Sequence, residues 1–287
     1  MRLATLSIDG KATLCARRED RYHPVPVLTP EAPQDMTRFL EGGAQVRSAL
    51  EAALAAAPVA AGIDAGDAIY LPPVPSPGKI VCLGLNYRDH AEESGFSAPD
   101  YPALFLRTAT SLVAHGADLV RPSVSEQLDY EVELAVIVGK TTYRVAAADA
   151  LASVAGYSVF NDASVRDYQL RTSQWTIGKN FDGTGGFGPD VVTADEAPTG
   201  ARGLRITARL NGQTVQSANT SNMIFDVANT IAIVSECMTL HPGDVILMGT
   251  PSGVGLARDP QLWMRPGDIC ECEIEAIGRL RNGIRQQ

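Results

Sequence analysis

Residues 129–138 read Asp-Tyr-Glu-Val-Glu-Leu-Ala-Val-Ile-Val, and this run predicts a β-strand. Successive side chains of a strand point to opposite faces, so alternate apolar residues from Val132 to Val138 share one face. Glu131 and Glu133 share the other face, with Cα atoms roughly 6.5–7 Å apart. Two carboxylates this close on an apolar strand repel each other, and a divalent cation removes the penalty. The run therefore predicts part of a metal site with oxygen ligands.

A third candidate ligand is Asp162, which follows a predicted strand over residues 154–160. A carboxylate at a strand end can point into a cleft, but Asp162 or Asn161 can equally begin the next helix as its N-cap. Glu-x-Glu is also common on a solvated strand face, and that alternative stays open for Glu131 and Glu133. Three carboxylates with waters suit a hard cation, Mg²⁺, Mn²⁺ or Ca²⁺.

Composition limits the classes of function. The chain has 287 residues, with 33 acidic and 24 basic side chains, and its net charge is −9. A nucleic-acid-binding protein usually carries a basic stripe, and the sequence contains none, so no nucleic-acid partner is expected. Five scattered cysteines favour a reducing compartment. The start of the chain has no apolar signal-peptide region and no stretch suits a membrane span, so a soluble cytoplasmic protein is expected.

The chain divides at a proline-rich segment. Leu71–Gly78 holds four prolines and predicts a stiff linker, so residues 1–72 are expected to form a small N-terminal α+β domain and residues 73–287 the main domain. The first part opens with a predicted hairpin around Asp9-Gly10, followed by a helix from about Thr37 to Ala57. The second part is rich in strands without regular strand-helix alternation, which predicts a mainly β, α+β fold.

Two further segments carry candidate catalytic groups. His90 and Glu93 lie three residues apart, and on one helical turn they would share a face, which suits a general base oriented by a carboxylate. The alternative is a solvated helix start. Lys179 lies between Trp175 and Phe181, where an ammonium group can stabilise developing negative charge, although it can also be a surface lysine.

Two residues are candidates for binding substrate. Thr250 lies in the turn Gly249–Gly255, whose hydroxyl and backbone N–H groups can hold a carboxylate, although a wide loop without function explains the turn as well. Arg107 can pair with a second carboxylate of the substrate.

From Lys79 to about Ile284 the chain resembles the fumarylacetoacetate hydrolase family. The resemblance rests on five stretches that occur together and in order: Gly84-Leu85-Asn86-Tyr87 with His90 and Glu93, Asp129–Leu134, Asn161-Asp162, Gly178–Asp182 and Gly249–Gly255. It implies a mixed β-roll or β-sandwich fold and a homodimer. It also implies Mg²⁺, or Mn²⁺ or Ca²⁺, bound by Glu131, Glu133 and Asp162. His90 and Glu93 would form a dyad on a lid, with Lys179 near the metal and Thr250 on a substrate carboxylate.

Two positions differ from the pattern of the family. Many bacterial relatives have lysine where this chain has Arg107, and many have an apolar or proline-containing loop where this chain has Gly183-Thr184-Gly185-Gly186. Both differences are expected to affect the distal end of the substrate, which weakens any assignment of substrate by analogy.

The resemblance to acylpyruvases and 2-hydroxyhepta-2,4-diene-1,7-dioate isomerases implies C–C bond hydrolysis in a 2,4-dioxo acid, of acylpyruvate or fumarylpyruvate type. A cation would hold the 2-oxo acid end, His90 would take a proton from water, and hydroxide would attack the far carbonyl group. A pyruvate enolate would leave near Lys179. Decarboxylation of a β-keto acid such as oxaloacetate and isomerisation of a 2-hydroxydienoate can use the same site, and a structural Ca²⁺ protein is the alternative outside enzymes. Aromatic-compound catabolism is expected by analogy.

Overall fold

The computed structural model describes residues 1–93 and 99–287, without the side chains at positions 90–92. The strands are β1 (Arg2–Ile8), β2 (Lys11–Arg18), β3 (Arg21–Pro24), β4 (Ile63–Asp64), β5 (Ile80–Gly84), β6 (Ala103–Arg107), β7 (Leu112–Ala114), β8 (Leu119–Arg121), β9 (Leu128–Asp129), β10 (Val132–Val138), β11 (Val154–Asp162), β12 (Ser164–Val165), β13 (Gly185–Thr193), β14 (Arg205–Leu210), β15 (Gln213–Asn219), β16 (Val245–Leu247), β17 (Ile269–Ile274) and β18 (Gly278–Gln286).

The α-helices are α1 (Val25–Leu28), α2 (Met36–Glu41), α3 (Gly43–Ala56), α4 (Arg88–Glu93), α5 (Ala147–Ala150), α6 (Arg166–Gln169), α7 (Thr176–Lys179) and α8 (Val227–Cys237). Short 3₁₀ turns occupy Val59–Ala61, Ala109–Ser111, Leu151–Ser153, Ala194–Glu196, Thr199–Ala201, Thr220–Asn222 and Gly255–Ala257. None of the described helices has both the length and the apolar character that crossing a membrane requires.

The described strands form two main sheets. The larger has eleven strands in the order β4-β3-β2-β1-β13-β11-β10-β16-β5-β6, with β7 beside β13, and the smaller has five in the order β15-β14-β17-β18-β8. Most neighbours are antiparallel, and β7–β13, β5–β16 and β8–β18 are parallel pairs. The expectation of a mixed, mainly antiparallel α+β fold is confirmed.

Each face of the large sheet packs on its own core, and β10 contributes to both. Val132 and Leu134 lie in the core between the two sheets, which also includes apolar residues of α8. Ala135 and Ile137 point to the opposite face, where α2 and α3 cover the sheet. The period of two read from the sequence is therefore present, and both faces of the strand are buried. Glu131 and Glu133 do not lie on a solvated face.

The N-terminal segment, for which a small α+β domain over residues 1–72 was expected, is joined to the rest of the chain through the large sheet. Strand β1 pairs with β13, so the N-terminal strands extend the large sheet, and their residues share a core with β5 and β10. The hairpin at Asp9-Gly10 is confirmed, since both residues have the positive φ angles that a type I′ turn needs. The single helix expected near residues 37–57 is instead two helices, because the chain turns at Gly42 and Gly43 between α2 and α3.

Candidate active site

The ladder between β10 and β11 brings the three candidate metal ligands together. Glu133 lies opposite Phe160 in this ladder, and the Asp162 N–H donates to the Glu131 carbonyl oxygen at 2.8 Å. Glu131 and Asp162 are therefore cross-strand neighbours, with Glu133 two residues along the same face. One carboxylate oxygen from each residue lies within 4.8 Å of those of the other two, and all three residues are buried. Helix α6 has Val165 at its N-cap, so Asp162 does not cap it.

The three carboxylates repel one another. Burial, reinforced by the nearby Asp162 and Glu131, raises the pKa of Glu133 well above its ordinary value. A hydrogen bond from the Gly249 N–H to Glu133 Oε2, at 2.8 Å, opposes this shift without overcoming it. Glycine at position 249 allows the backbone to approach Glu133 this closely. Its φ is positive, and a Cβ on any other residue would lie only 2.8 Å from the Asn86 side chain.

Lys179, at the end of α7, lies among these carboxylates. Its Nζ donates to Glu131 Oε2 at 2.7 Å and to Asp162 Oδ2 at 2.5 Å. Burial disfavours the charged ammonium group, but the attraction of Asp162 and Glu131 outweighs it and raises the pKa of Lys179. Lys179 is therefore protonated at neutral pH, and it acts as a cation and hydrogen-bond donor here, not as a base. The alternative of a surface lysine is wrong.

Arg107 occupies a different place from the one expected of a substrate ligand. Its side chain is buried and its Nη1 donates to Asp162 Oδ1 at 2.6 Å. It does not belong to the described lining of the pocket. The sequence identifies Arg107 as a cation that can pair with a carboxylate, but it does not identify Asp162 as that carboxylate.

Three residues near the site were not among the sequence-based candidates. Arg166 Nε donates to Asp129 Oδ2 at 2.8 Å, and its Nη2 lies 2.6 Å from Glu131 Oε1. Its Nη1 donates to Gln169 Oε1 at 2.8 Å. The Asp129 carboxylate also accepts the N–H groups of Gly255 and Leu256, which ties the glycine-rich turn to the strand that carries the glutamates. A signal was present, since Arg166 is a cation directly after the apolar and small residues 163–165.

The charges of the described residues leave room for a divalent cation. Four buried carboxyl groups stand against three buried cations, and the groups are Asp129, Glu131, Glu133, Asp162, Arg107, Arg166 and Lys179. Glu131, Glu133 and Asp162 offer oxygen atoms alone, the donor set that hard cations prefer. An ion held by these three would relieve the repulsion that raises the pKa of Glu133. The residues therefore fit a divalent metal, and Mg²⁺, Mn²⁺ and Ca²⁺ all suit the donor set.

A pocket of about 300 Å³ opens beside the carboxylates. Its polar lining includes Glu131, Glu133, Arg166, Gln169, Lys179 and Thr250, and its apolar lining includes Leu83, Phe105, Leu170, Trp175, Val254 and Leu256. The indole of Trp175 packs directly on Gly84, where an added Cβ would lie 2.1 Å from Trp175 Cζ3. Phe105 meets Trp175 edge to face, with ring centroids 5.8 Å apart. The pocket therefore joins a charged floor to an aromatic wall, as small-molecule sites commonly do.

Two of the remaining candidates, Thr250 and Glu93, line this pocket. Thr250 Oγ1 donates to the Val132 carbonyl oxygen at 2.9 Å and accepts from Gln216 at 2.9 Å, and its contact with substrate stays a prediction. The Glu93 carboxylate accepts the Gly253 N–H at 3.0 Å, so α4 is tied to the Gly249–Gly255 turn. His90 belongs to α4, but its side chain lies outside the described residues, and the dyad with Glu93 stays a prediction.

Known proteins resemble this chain along most of its length. The family model "Fumarylacetoacetate (FAA) hydrolase C-terminal" matches residues 79–285. The human mitochondrial oxaloacetate tautomerase FAHD2A is 43% identical over 258 residues, covering 89% of this chain and 81% of the relative. A fumarylacetoacetate hydrolase structure from Exiguobacterium antarcticum is 31% identical with a TM-score of 0.86 and covers 100% of both chains. The maleylpyruvate hydrolase of Sphingobium sp. SYK-6, solved with manganese and pyruvate, is 30% identical with a TM-score of 0.84, covering 100% of this chain and 99% of the other.

Proposed function

The chain belongs to the fumarylacetoacetate hydrolase family, and from this we propose that it interconverts the keto and enol forms of a 2-oxo acid at a divalent-metal centre. One observation carries the proposal: Glu131, Glu133 and Lys179 line a pocket with the volume of a small-molecule site, and the buried Asp162 carboxylate converges with the two glutamates behind this lining. The arrangement suits any reaction that passes through an enolate, because a cation bound by the three carboxylates would place positive charge beside Lys179, where that negative charge would develop.

Each group has a defined part in this chemistry. A cation bound by Glu131, Glu133 and Asp162 would polarise the 2-oxo group and make the neighbouring carbon more acidic. Lys179 is protonated and its Nζ donates to Glu131 Oε2, Asp162 Oδ2 and, at 3.3 Å, the Asp162 carbonyl oxygen, so a developing enolate oxygen would replace one of these acceptors. The apolar wall of Phe105 and Trp175 excludes water from one side of the pocket and strengthens these interactions.

Proton transfer without cleavage of a C–C bond is the first choice, because oxaloacetate tautomerases are among the relatives of this chain. Relatives with that name are 40–43% identical to the chain, against about 30% for the maleylpyruvate hydrolase. Tautomerisation moves one proton between carbon and oxygen and needs a single proton carrier. We assign that role to His90 on α4, with Glu93 as its orienting carboxylate. Oxaloacetate or a related 2-oxo acid is the proposed substrate.

Hydrolysis of a C–C bond in a 2,4-dioxo acid is the second candidate. It is favoured by the apolar wall, which can hold an acyl tail, and by the pyruvate bound in the maleylpyruvate hydrolase structure. In that reaction His90 would take a proton from water, the hydroxide would add to the 4-carbonyl group, and the C3–C4 bond would break to release a carboxylic acid and pyruvate. Decarboxylation and dienoate isomerisation differ from both reactions in their products.

One assay separates these reactions. Purified protein is treated with a chelator and dialysed, and then offered enol oxaloacetate, acetylpyruvate and a 2-hydroxymuconate with and without Mg²⁺, Mn²⁺ or Ca²⁺. We expect metal-dependent loss of the enol absorbance of oxaloacetate without release of CO₂. Cleavage of acetylpyruvate to acetate and pyruvate at a higher kcat/KM would favour the hydrolase instead. Failure of every metal to accelerate any of these reactions would leave a structural Ca²⁺ site as the better explanation.

The proposal extends to the metal ion, the oligomeric state and the cellular location. We propose Mg²⁺ as the resident ion, a homodimer as the active form and a cytoplasmic location, with a role in the breakdown of aromatic compounds. The manganese in the maleylpyruvate hydrolase structure supports a divalent metal without selecting among Mg²⁺, Mn²⁺ and Ca²⁺.

The aromatic wall offers a test of substrate binding. In Gly84→Ala the new methyl group would displace the Trp175 ring, and we expect KM for the preferred substrate to rise roughly tenfold, because a pocket contact of this size contributes about 1–3 kcal/mol. Metal affinity should not change. Steady-state kinetics and metal titration measure the two effects. Gly139→Ala is the control, since its Cβ would lie 2.8 Å from Ala155, away from the pocket. Equal KM values for the two variants would contradict the prediction.

A further inference from the structure

The two differences from the family pattern lie in contact with each other. Arg107 Nη2 donates to Thr184 Oγ1 at 2.9 Å, within the loop of small residues that follows Phe181-Asp182. The same guanidinium donates through Nη1 to Asp162 Oδ1 at 2.6 Å and through Nε to Ser111 Oγ at 3.2 Å. Three separate donors of one buried side chain are thus engaged.

Gly185 makes room for this arrangement. A Cβ at position 185 would lie 2.8 Å from Arg107 Nη2 and 3.0 Å from Phe160 Cζ. Glycine is therefore needed for space beside the guanidinium. The ring of Phe160 in turn lies 5.6 Å from the Arg107 guanidinium carbon and helps to confine it. The position of the Arg107 guanidinium therefore depends on the absence of a side chain at position 185.

We propose that Arg107 is a positioning residue for the metal site, an inference that rests on the proposed function. Its Nη1 holds Asp162 Oδ1, so that Oδ2 points toward Lys179 and the oxygen atoms of Glu131. Thr184 and Ser111 fix the plane of the guanidinium, and the guanidinium fixes the plane of the carboxylate. A lysine at 107 has one nitrogen and cannot engage Asp162, Thr184 and Ser111 in this fixed geometry. Outer groups that orient a metal ligand commonly change metal affinity by about 10–100-fold.

The burial of Arg107 argues against direct recognition of substrate. Its side chain has no exposed surface, and the Asp162 side chain that it contacts has none either. A substrate carboxylate could pair with Arg107 only by displacing Asp162 from it. The loop Gly183–Gly186 therefore affects the reaction through Arg107, which contacts the metal ligand Asp162, and not through the distal end of the substrate.

The test measures metal binding without substrate. Calorimetric titration of chelator-treated protein with Mn²⁺ and Mg²⁺ compares wild type, Arg107→Lys, Thr184→Val and the double variant. We expect the dissociation constant to rise roughly tenfold in Arg107→Lys and severalfold in Thr184→Val. The double variant should be about as weak as Arg107→Lys alone, because both changes remove the same brace. With saturating metal, KM for the preferred substrate should stay close to wild type.

A matched pair of glycine variants separates this brace from general strain in β13. Gly185→Ala places a methyl group against Arg107, whereas Gly186→Ala places one 2.8 Å from Asn282 Oδ1 on the other side of the strand. We expect weaker metal binding in Gly185→Ala alone, with similar losses of thermal stability in both. Equal metal affinities in the two, or a raised KM with unchanged metal affinity in Arg107→Lys, would overturn the positioning role. If wild type binds no metal, the proposed function itself fails. If wild type binds metal and the variants bind it equally well, only the positioning role of Arg107 fails.

Discussion

Glu133→Gln is expected to raise the thermal stability of the metal-free protein and to abolish its metal-dependent activity. Glu133 is buried beside two other carboxylates, and its raised pKa reports the unfavourable free energy of its charge there. Glutamine has nearly the same shape, and its carbonyl oxygen can still accept the Gly249 N–H. We expect a gain of about 1–2 kcal/mol, the size of many single stabilising substitutions, and a rise in Tm of roughly 2–8 °C. Loss of a ligand should lower metal affinity and kcat/KM by at least about 10²-fold.

The gain in stability should depend on pH. Because the pKa of Glu133 is raised in the folded protein, the folded state keeps a proton that the unfolded chain releases above the ordinary glutamate pKa. The metal-free wild type therefore loses stability as the pH rises through that region, and Glu133→Gln lacks this loss. We expect the difference in Tm to be larger at about pH 8 than at about pH 5, measured by calorimetry with chelator present.

Asp190→Asn is the matched control for this variant. Burial raises the pKa of Asp190 as well, but its neighbours are donors, the Tyr22 hydroxyl at 2.5 Å and Arg17 at 3.2 Å, and its replacement would remove the charge with which Arg17 pairs. Its replacement should lower stability and leave metal affinity unchanged. If Tm falls as much in Glu133→Gln as in Asp190→Asn, then Glu131 and Asp162 do not destabilise the Glu133 carboxylate. The interpretation of the three carboxylates as a mutually repelling group would then be wrong.

The parts of this molecule that could be predicted from sequence are those set by local chemistry. The period of two along β10 separates Glu131 and Glu133 from the valine face, and the structure has this alternation. Asp9-Gly10 adopts positive φ angles at a hairpin, as its residue types require. In each of these cases residues close in sequence determine the outcome.

The parts that could not be predicted depend on pairing between distant segments. Arg166 reaches Asp129 because the two-residue strands β9 and β12 pair, and such short strands leave no periodic pattern. Arg107 ends β6 and reaches Asp162 of β11, although β5, β16 and β10 lie between these two strands in the order of the large sheet. Likewise, pairing of β1 with β13 joins the N-terminal strands to the large sheet, although the proline-rich segment suggested a boundary. Residue type alone does not specify which other strand a given strand will pair with.

Lys179→Met should have the opposite effect on the stability of the metal-free protein from Glu133→Gln. Removing the ammonium leaves Glu131 and Asp162 buried with less compensation, and the loss of one partner of a buried pair typically destabilises by about 3–5 kcal/mol. A divalent ion can replace the missing positive charge, so added Mn²⁺ should raise Tm more in the variant than in wild type. With saturating metal, kcat should still fall on the order of 10²–10³-fold, because the enolate loses its nearest donor.

Lys79→Met separates this effect from the loss of any lysine–carboxylate pair. Lys79 Nζ lies 2.7 Å from Asp244 Oδ2, away from the pocket. We expect this variant to keep wild-type kcat and to show no enhanced response of Tm to Mn²⁺. If Lys179→Met also keeps wild-type kcat while binding metal normally, then Lys179 only balances charge in the metal-free protein. The assignment of enolate stabilisation to its ammonium group would then fall, and the bound ion alone would have to stabilise the enolate.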